Sequence, residues 1–289
     1  MTKVVFQRKT QSIIEPKEYQ AAWLKRLYQT KWGNSLLSIV TSRLFSIVWT
    51  AIDHTRLSKN KIAQFIKEYD IRLSDYESVN YKSFSAFFIR KLKADKIQVS
   101  PSNRVCAVAQ AKLLAVPIHS DQTFNIKEQN YRLEDILQDR SLADHYEGGT
   151  VFIYRLAVDD YHRYLVSETG MVIRRRKIRG KLHTVREIAQ QHFQVFKENK
   201  REYCLIETKK SGMVMQMEVG ALLVGKIYNP PSASYQRGHE KGWFSLGGST
   251  ILVAYPKGTV TVDEDICYYS SLNIETQVNI GEGIGLKIC

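Results

Sequence analysis

The sequence predicts an α+β protein, with N-terminal helices followed by a mostly antiparallel β body. Three observations carry this. Residues 17–70 keep a helical spacing of apolar positions. From about residue 104 onward, short β-rich runs alternate with turns, punctuated by Gly148-Gly149, Gly170, Gly212 and Gly258. Apolar residues make up 44% and charged residues 25% of the 289 positions, the composition of a globular chain with a core of ordinary size.

The elements follow in order. "SLLSIVTSRLFSIVWTAI" (35–52) is the most apolar stretch. Ser35, Ser38, Ser42 and Ser46 form one small polar stripe, and Leu36, Leu37, Val40, Leu44, Ile47 and Val48 cover the rest. Arg43 interrupts it and its length barely reaches a span, which argues against a transmembrane helix. An interfacial helix bedded among lipid headgroups fits it, with Lys25, Arg26 and Lys31 nearby; a helix packed on the protein's own core is the alternative. "YKSFSAFFIRKLKAD" (81–95) reads as a second helix, with Phe84, Phe87, Phe88 and Leu92 at core spacing. Helical pattern returns near 131–146 and 184–199. The remaining runs, among them "GTVFIYRLAV", "STILVAYPKGTVTV" and "TQVNIGEGIGLKI", read as strands. Residues 1–80 are expected to be a helical, membrane-associating segment, and residues 81–289 the body.

The formal charge is +13, and "RRRKIRGK" (174–181) concentrates six positive residues. Such a surface suits an anionic partner. Nucleic acid is set aside, because no RNP pattern, helix-turn-helix or finger spacing is present. Cys106, Cys204, Cys267 and Cys289 lack CxxC or metal-finger spacing, and "MTKVVFQRKTQ" has no apolar signal region. Free thiols, no metal and a reducing compartment are expected.

The chemistry centres on "LGGST" (246–250). A phosphate loop would need a lysine after the glycines and a helix beyond. A nucleophile elbow would need G-x-S-x-G, and here G-G-S-T-I precedes a strand. A plain turn remains, and so does a third reading. The Ser249 hydroxyl can attack the carbonyl before it, because a glycine at 248 lets that carbonyl be approached. Elimination from the resulting ester leaves dehydroalanine, which hydrolyses to a pyruvoyl group. Elsewhere, "RLAVDDYHRYLVSETG" (155–170) groups Asp160, Tyr161, His162 and Arg163 after a strand. A histidine set beside an acid and an arginine is a candidate proton donor.

Four segments in sequence resemble the phosphatidylserine decarboxylase family. These are "YKSFSAFFIRKLK", "DYHR" (160–163), "RGHEKGWFSLGGST" (237–250) and "NIETQVNIGEGIG" (273–285). The resemblance implies a proenzyme that cuts itself between Gly248 and Ser249, leaving a 248-residue β chain and a 41-residue α chain. It implies a pyruvoyl cofactor made from Ser249, no metal, and decarboxylation of phosphatidylserine to phosphatidylethanolamine, with His162 returning a proton. Its partner would be an anionic phospholipid membrane, its place the cytoplasmic side of that membrane as a peripheral protein. A homodimer is compatible with the resemblance.

The family's self-cleavage uses an Asp-His-Ser arrangement. Its aspartate turn is matched to "SPSNRV", which places Asn103 at the aspartate, and the histidine position is Leu165. Leucine takes no proton, and asparagine offers an imidazolium no charge. Asp160 and Arg163 beside His162, and His239 and Glu240 upstream of the cut, are the candidate substitutes or support. Two further readings stay open: an uncleaved relative that binds lipid or amine, and a pyruvoyl decarboxylase of a free amino acid.

Overall fold

The computed structural model describes residues 4–16, 21–42, 45, 51–126, 129–185, 187–222, 226–247 and 249–288. Ten strands form one sheet. Their order is Ser234–Tyr235, Gly170–Ile178, Arg201–Glu207, Met213–Val219, Ser249–Tyr255, Thr150–Leu156, Ala111–Pro117, Glu275–Val278, Val5–Gln7 and Ser12–Ile14. Every pairing is antiparallel except that of Val5–Gln7 with Glu275–Val278.

The central strand explains its own sequence. Ser249–Tyr255 is buried at all seven positions, so "STILVAY" has no need of polar alternation. Ser249 pairs with Leu156, and the register runs unbroken to Tyr255 opposite Thr150. On one face Ile251 and Val253 join Leu113, Phe152 and Tyr154. On the other, Leu252 and Ala254 join Leu114, Ile153, Met215 and Met217. The two cores sandwich the sheet, which holds the strand rigidly at register.

Three smaller sheets surround it. One joins Ile227–Tyr228, Glu240–Phe244 and Arg163–Leu165, bringing the "DYHR" segment beside the approach to "LGGST". A second joins Val260–Val262, Gly283–Lys287 and Arg104–Cys106. A third is the hairpin of Thr123–Ile126 and Gln129–Arg132.

The α+β class stands, with particular differences from expectation. The N-terminal region opens with a hairpin welded to the main sheet. Arg8 reaches Asp263, Asp265 and Glu282, and Phe6 stacks on Tyr269 at 3.9 Å. Helices then follow at Ala21–Gln29, Lys31–Val40 and Asn60–Tyr69. Of the stretch 35–52, residues 43, 44 and 46–50 lie outside the described residues. The phenylalanine-rich helix is shorter than its spacing suggests, spanning Phe84–Phe88 only. Ser83 caps its start by accepting from the Ala86 amide, and Leu92 has left it to bridge Tyr76. Near 131–146 and 184–199 the expected helices are short ones, Leu133–Leu137, Arg140–Asp144, Glu187–Gln190 and Val195–Glu198. The helix Glu264–Ser271 has no counterpart in the periodicity reading.

Candidate active site

The site begins with the loop that leaves the strand Thr150–Leu156. Asp160 turns back to accept from the Ala157 amide at 2.7 Å, and its own amide donates to the Ala157 carbonyl at 3.1 Å. Lys112, on the neighbouring strand, places Nζ 2.8 Å from both Asp160 carboxylate oxygens. Both side chains are buried. Burial pushes the Asp160 carboxyl upward, against the pull of Lys112. The Tyr161 amide donates to Gln110 Oε1 at 3.2 Å, closing the loop on its other side.

This fixed loop aims His162. Its Nδ1 lies 2.8 Å from the Asp160 carbonyl. A carbonyl can only accept, so Nδ1 carries the proton and Nε2 carries the lone pair. The ring is fully buried and packs on Phe88 at 4.2 Å between centroids. Burial drives its pKa from 6.5 down to about 3, with the positive charge of Arg90 adding to the fall. The imidazole is therefore neutral at physiological pH. The Gly247 backbone lies against the ring without closing a hydrogen bond to Nε2.

Ser249 stands two residues beyond. It is fully buried at the first position of the central strand, and its Oγ has no hydrogen-bond partner. An unpartnered buried hydroxyl is expensive to keep. So is an unpartnered buried imidazole nitrogen, and the two belong to segments tied together by the Phe244 amide donating to the His162 carbonyl at 3.0 Å. Gly247 sits at φ 111, a backbone that side chains avoid, which accounts for the first of the paired glycines. Gly248 lies outside the described residues.

Residues 84–286 match the family model for phosphatidylserine decarboxylase. The chain is 40% identical over 287 residues to phosphatidylserine decarboxylase proenzyme 2 of Clostridium acetobutylicum, covering 99% of each chain. It is 36% identical over 288 residues to the phosphatidylserine decarboxylase proenzyme of Fusobacterium nucleatum, covering 96% of each. It is 33% identical to that of Clostridium tetani, covering 98% of each. The chain belongs to the phosphatidylserine decarboxylase family. That family is one of carboxy-lyases.

Within this decarboxylase fold, the other sequence candidates separate. Arg163 and Glu240 pair with each other at 2.8 Å, and Arg163 also donates to the Ile89 carbonyl and covers the Trp243 ring. They brace the loop from outside. His239 is exposed, and its backbone is engaged with Gln236 and Val166. Leu165 is buried among Cys106, Tyr161 and Ile280, an apolar cluster with no acid or base at that position. Asn103 is the residue that the sequence matches to the family's aspartate. It is exposed in the turn before Arg104–Cys106, where its carbonyl accepts from the Lys287 amide. From the segment that follows, Gln110 and Lys112 both reach the "DYHR" loop.

Sequence reasoning also missed a buried ion pair. Lys241 Nζ lies 2.6 Å from Glu218 Oε2, with both side chains sealed from solvent. Glu218 faces Ile251 across the sheet, and Lys241 stands on Glu240–Phe244. The pair ties the strand Met213–Val219, the ladder neighbour of Ser249–Tyr255, to the strand Glu240–Phe244. Asn229 donates to Glu218 and accepts from Tyr164, which satisfies the cluster. The only sequence signal was a charged residue at each of two otherwise apolar strand positions. Among the described residues no group of His, Cys, Asp and Glu is arranged to hold a metal.

The depressed His162 pKa fixes a pH dependence. The unfolded chain binds a proton at this histidine below 6.5, while the folded chain refuses it until about 3. Stability is therefore complete above pH 6.5 and falls as pH drops through that window, by up to ~1.4 kcal/mol per pH unit. His183, lowered by burial to about 4, adds to the same trend. Urea unfolding between pH 7.5 and 4.5 should show a shallower loss in His162→Gln than in the wild type. Equal slopes would mean that His162 titrates normally in the fold.

Proposed function

We propose that the chain is a self-processing proenzyme that cleaves at Gly248–Ser249 and then decarboxylates phosphatidylserine to phosphatidylethanolamine. The observation that carries this is the pair of unsatisfied buried groups, Ser249 Oγ and His162 Nε2, on segments joined by the Phe244 amide to His162 carbonyl hydrogen bond. In the maturation step His162 Nε2 accepts the hydroxyl proton as Ser249 Oγ attacks the Gly248 carbonyl. The amide becomes an ester, and the proton passes to the freed amine nitrogen. Loss of the Gly248 carboxylate together with the Cα proton, and replacement of ammonia by water, leaves a pyruvoyl group.

The residues present fit that group. Ser249 is held at a fixed register in a sealed strand, and the orphaned oxygen has no structural task. A pyruvoyl group at 249 supplies the electron sink for the pair left by departing carbon dioxide. His162 Nε2, which carries the lone pair at rest, takes up a solvent proton transiently and passes it to substrate carbon, with Phe88 packed on the ring.

The proton relay lacks a charged partner. The Asp160 carbonyl orients His162 but carries no full charge to stabilise an imidazolium. Leu165 and Gln110 supply neither a base nor an acid. Slow maturation follows. The same two residues favour the second reading, an uncleaved family member that binds lipid or amine. Intact mass measured over a long incubation separates the two. The account expects a 41-residue fragment blocked at its N-terminus to accumulate, absent in Ser249→Ala and slowed about 10²- to 10⁴-fold in His162→Gln. A single full-length mass at all times supports the uncleaved reading.

The substrate lies in a bilayer, and the N-terminal helices suit one. On Lys31–Val40, Leu37 and Val40 face the core while Trp32, Leu36 and Ile39 are exposed, Trp32 at 87%. An exposed tryptophan beside aliphatic residues on a chain of charge +13 is suited to an anionic lipid surface on the cytoplasmic side. No helix among the described residues is long and apolar enough to cross a membrane. Flotation with phosphatidylserine vesicles should fall several-fold in a Trp32→Ser/Leu36→Ser/Ile39→Ser variant. Undiminished flotation would remove this face from the account.

A further inference from the structure

Arg90 is a buried cation without a counter-ion. Its side chain is 2% exposed, and no carboxylate among the described residues pairs with it. Nε and Nη1 have no hydrogen-bond partner, and Nη2 makes one long bond, 3.4 Å, to the Asp159 carbonyl. Tyr76 and Phe87 cover the guanidinium at 4.7 and 5.1 Å. The ring contacts occupy its faces, so the free N–H donors point from its edge.

The other buried arginines are not left this way. Arg155 forks onto Glu275, with Nε 2.7 Å from Oε1. Arg201, without a carboxylate, donates to the carbonyls of Ile136, Lys197, Asn199 and Asp135. A guanidinium sealed away with unused donors is destabilising, and a native fold tolerates it where an anion is to be bound. Arg90 is also close enough to His162 for its charge to act on that ring, and Phe87 beneath it packs in one cluster with Leu246 of the "LGGST" loop.

We infer that Arg90 is the residue that recognises the phosphodiester of the lipid headgroup, binding it through its free N–H edge. This rests on the reading of phosphatidylserine as substrate. That headgroup offers two anionic groups, a carboxylate and a phosphodiester. A fork on the carboxylate would stabilise the ground state of the group that must leave and so oppose the reaction. A fork on the phosphodiester anchors a part of the substrate unchanged by the chemistry.

The test is titration of the full chain, by calorimetry, with water-soluble headgroups. Glycerophosphoethanolamine carries the phosphodiester without the carboxylate, and free serine carries the carboxylate without the phosphodiester. Wild type should bind glycerophosphoserine and glycerophosphoethanolamine. Arg90→Met should weaken both by ~10- to 100-fold and Arg90→Lys by less, with serine binding unchanged. Melting curves guard against misfolding: a cation buried without partners predicts that Arg90→Met melts no lower than wild type. The inference is overturned if wild type binds neither phosphodiester, if Arg90→Met binds them equally well, or if only serine binding is lost. Intact mass tests the proenzyme reading separately. An uncut chain with Arg90-dependent binding upholds the anion site alone. A cut chain whose binding ignores Arg90 upholds processing alone.

Discussion

The buried pair of Lys112 and Asp160 is the interaction on which the site depends. Lys112 comes from a strand inside the main sheet, and Asp160 from the loop beyond its neighbour. The two-oxygen contact fixes the carboxylate, which in turn ties the loop to the Ala157 amide. With the loop set, the Asp160 carbonyl faces His162 Nδ1, and that single bond decides which ring nitrogen holds the proton. Removal of Lys112 would leave a carboxylate buried and alone, a loss of about 3–5 kcal/mol. The aspartate thus acts through its place in the chain, with its charge spent on lysine and its carbonyl on histidine.

The site proposed here would be unusual in its means of activation. A catalytic histidine is commonly supported by a carboxylate that stabilises its charged form. Here the environment favours the neutral form, through burial, Phe88 and the charge of Arg90. A neutral imidazole with a defined lone pair is ready to accept a proton, and it holds one poorly. Orientation then has to supply the acceleration. The sheet provides it, because Ser249 pairs with Leu156, Thr250 next to it pairs on both sides, and the Glu218–Lys241 pair ties the neighbouring strand Met213–Val219 to Glu240–Phe244. Leu165 fits this arrangement as packing, filling its place among Cys106, Tyr161 and Ile280.

Much of this was legible in the chain. The unbroken run after Ser249 marked a strand buried on both faces, and the glycine before Gly248 marked a backbone closed to side chains. "DYHR" announced itself by grouping four polar residues after a strand. What was not legible depended on distant contacts. Gln110 lies in the run "VCAVAQAKLL", where nothing in spacing separates a site residue from a strand residue. Lys112, Lys241 and Glu218 have the composition of exposed charges, and only the sheet register shows that each is sealed against a partner. Arg90 read as one residue of a helix, whereas the helix stops at Phe88 and the guanidinium turns inward. Local pattern fixes elements, and pairing of buried charges is a property of the finished fold.

The central claim is that His162 is a neutral, Nδ1-protonated base buried beside the Gly247–Ser249 segment. Nitrogen-15 NMR of the histidine side chains across pH 8 to 4 measures it most directly. The account predicts an Nδ1–H tautomer for His162 that persists without titrating over that range, consistent with a pKa of about 3. An Nε2–H tautomer, or a midpoint near 6.5, would contradict it.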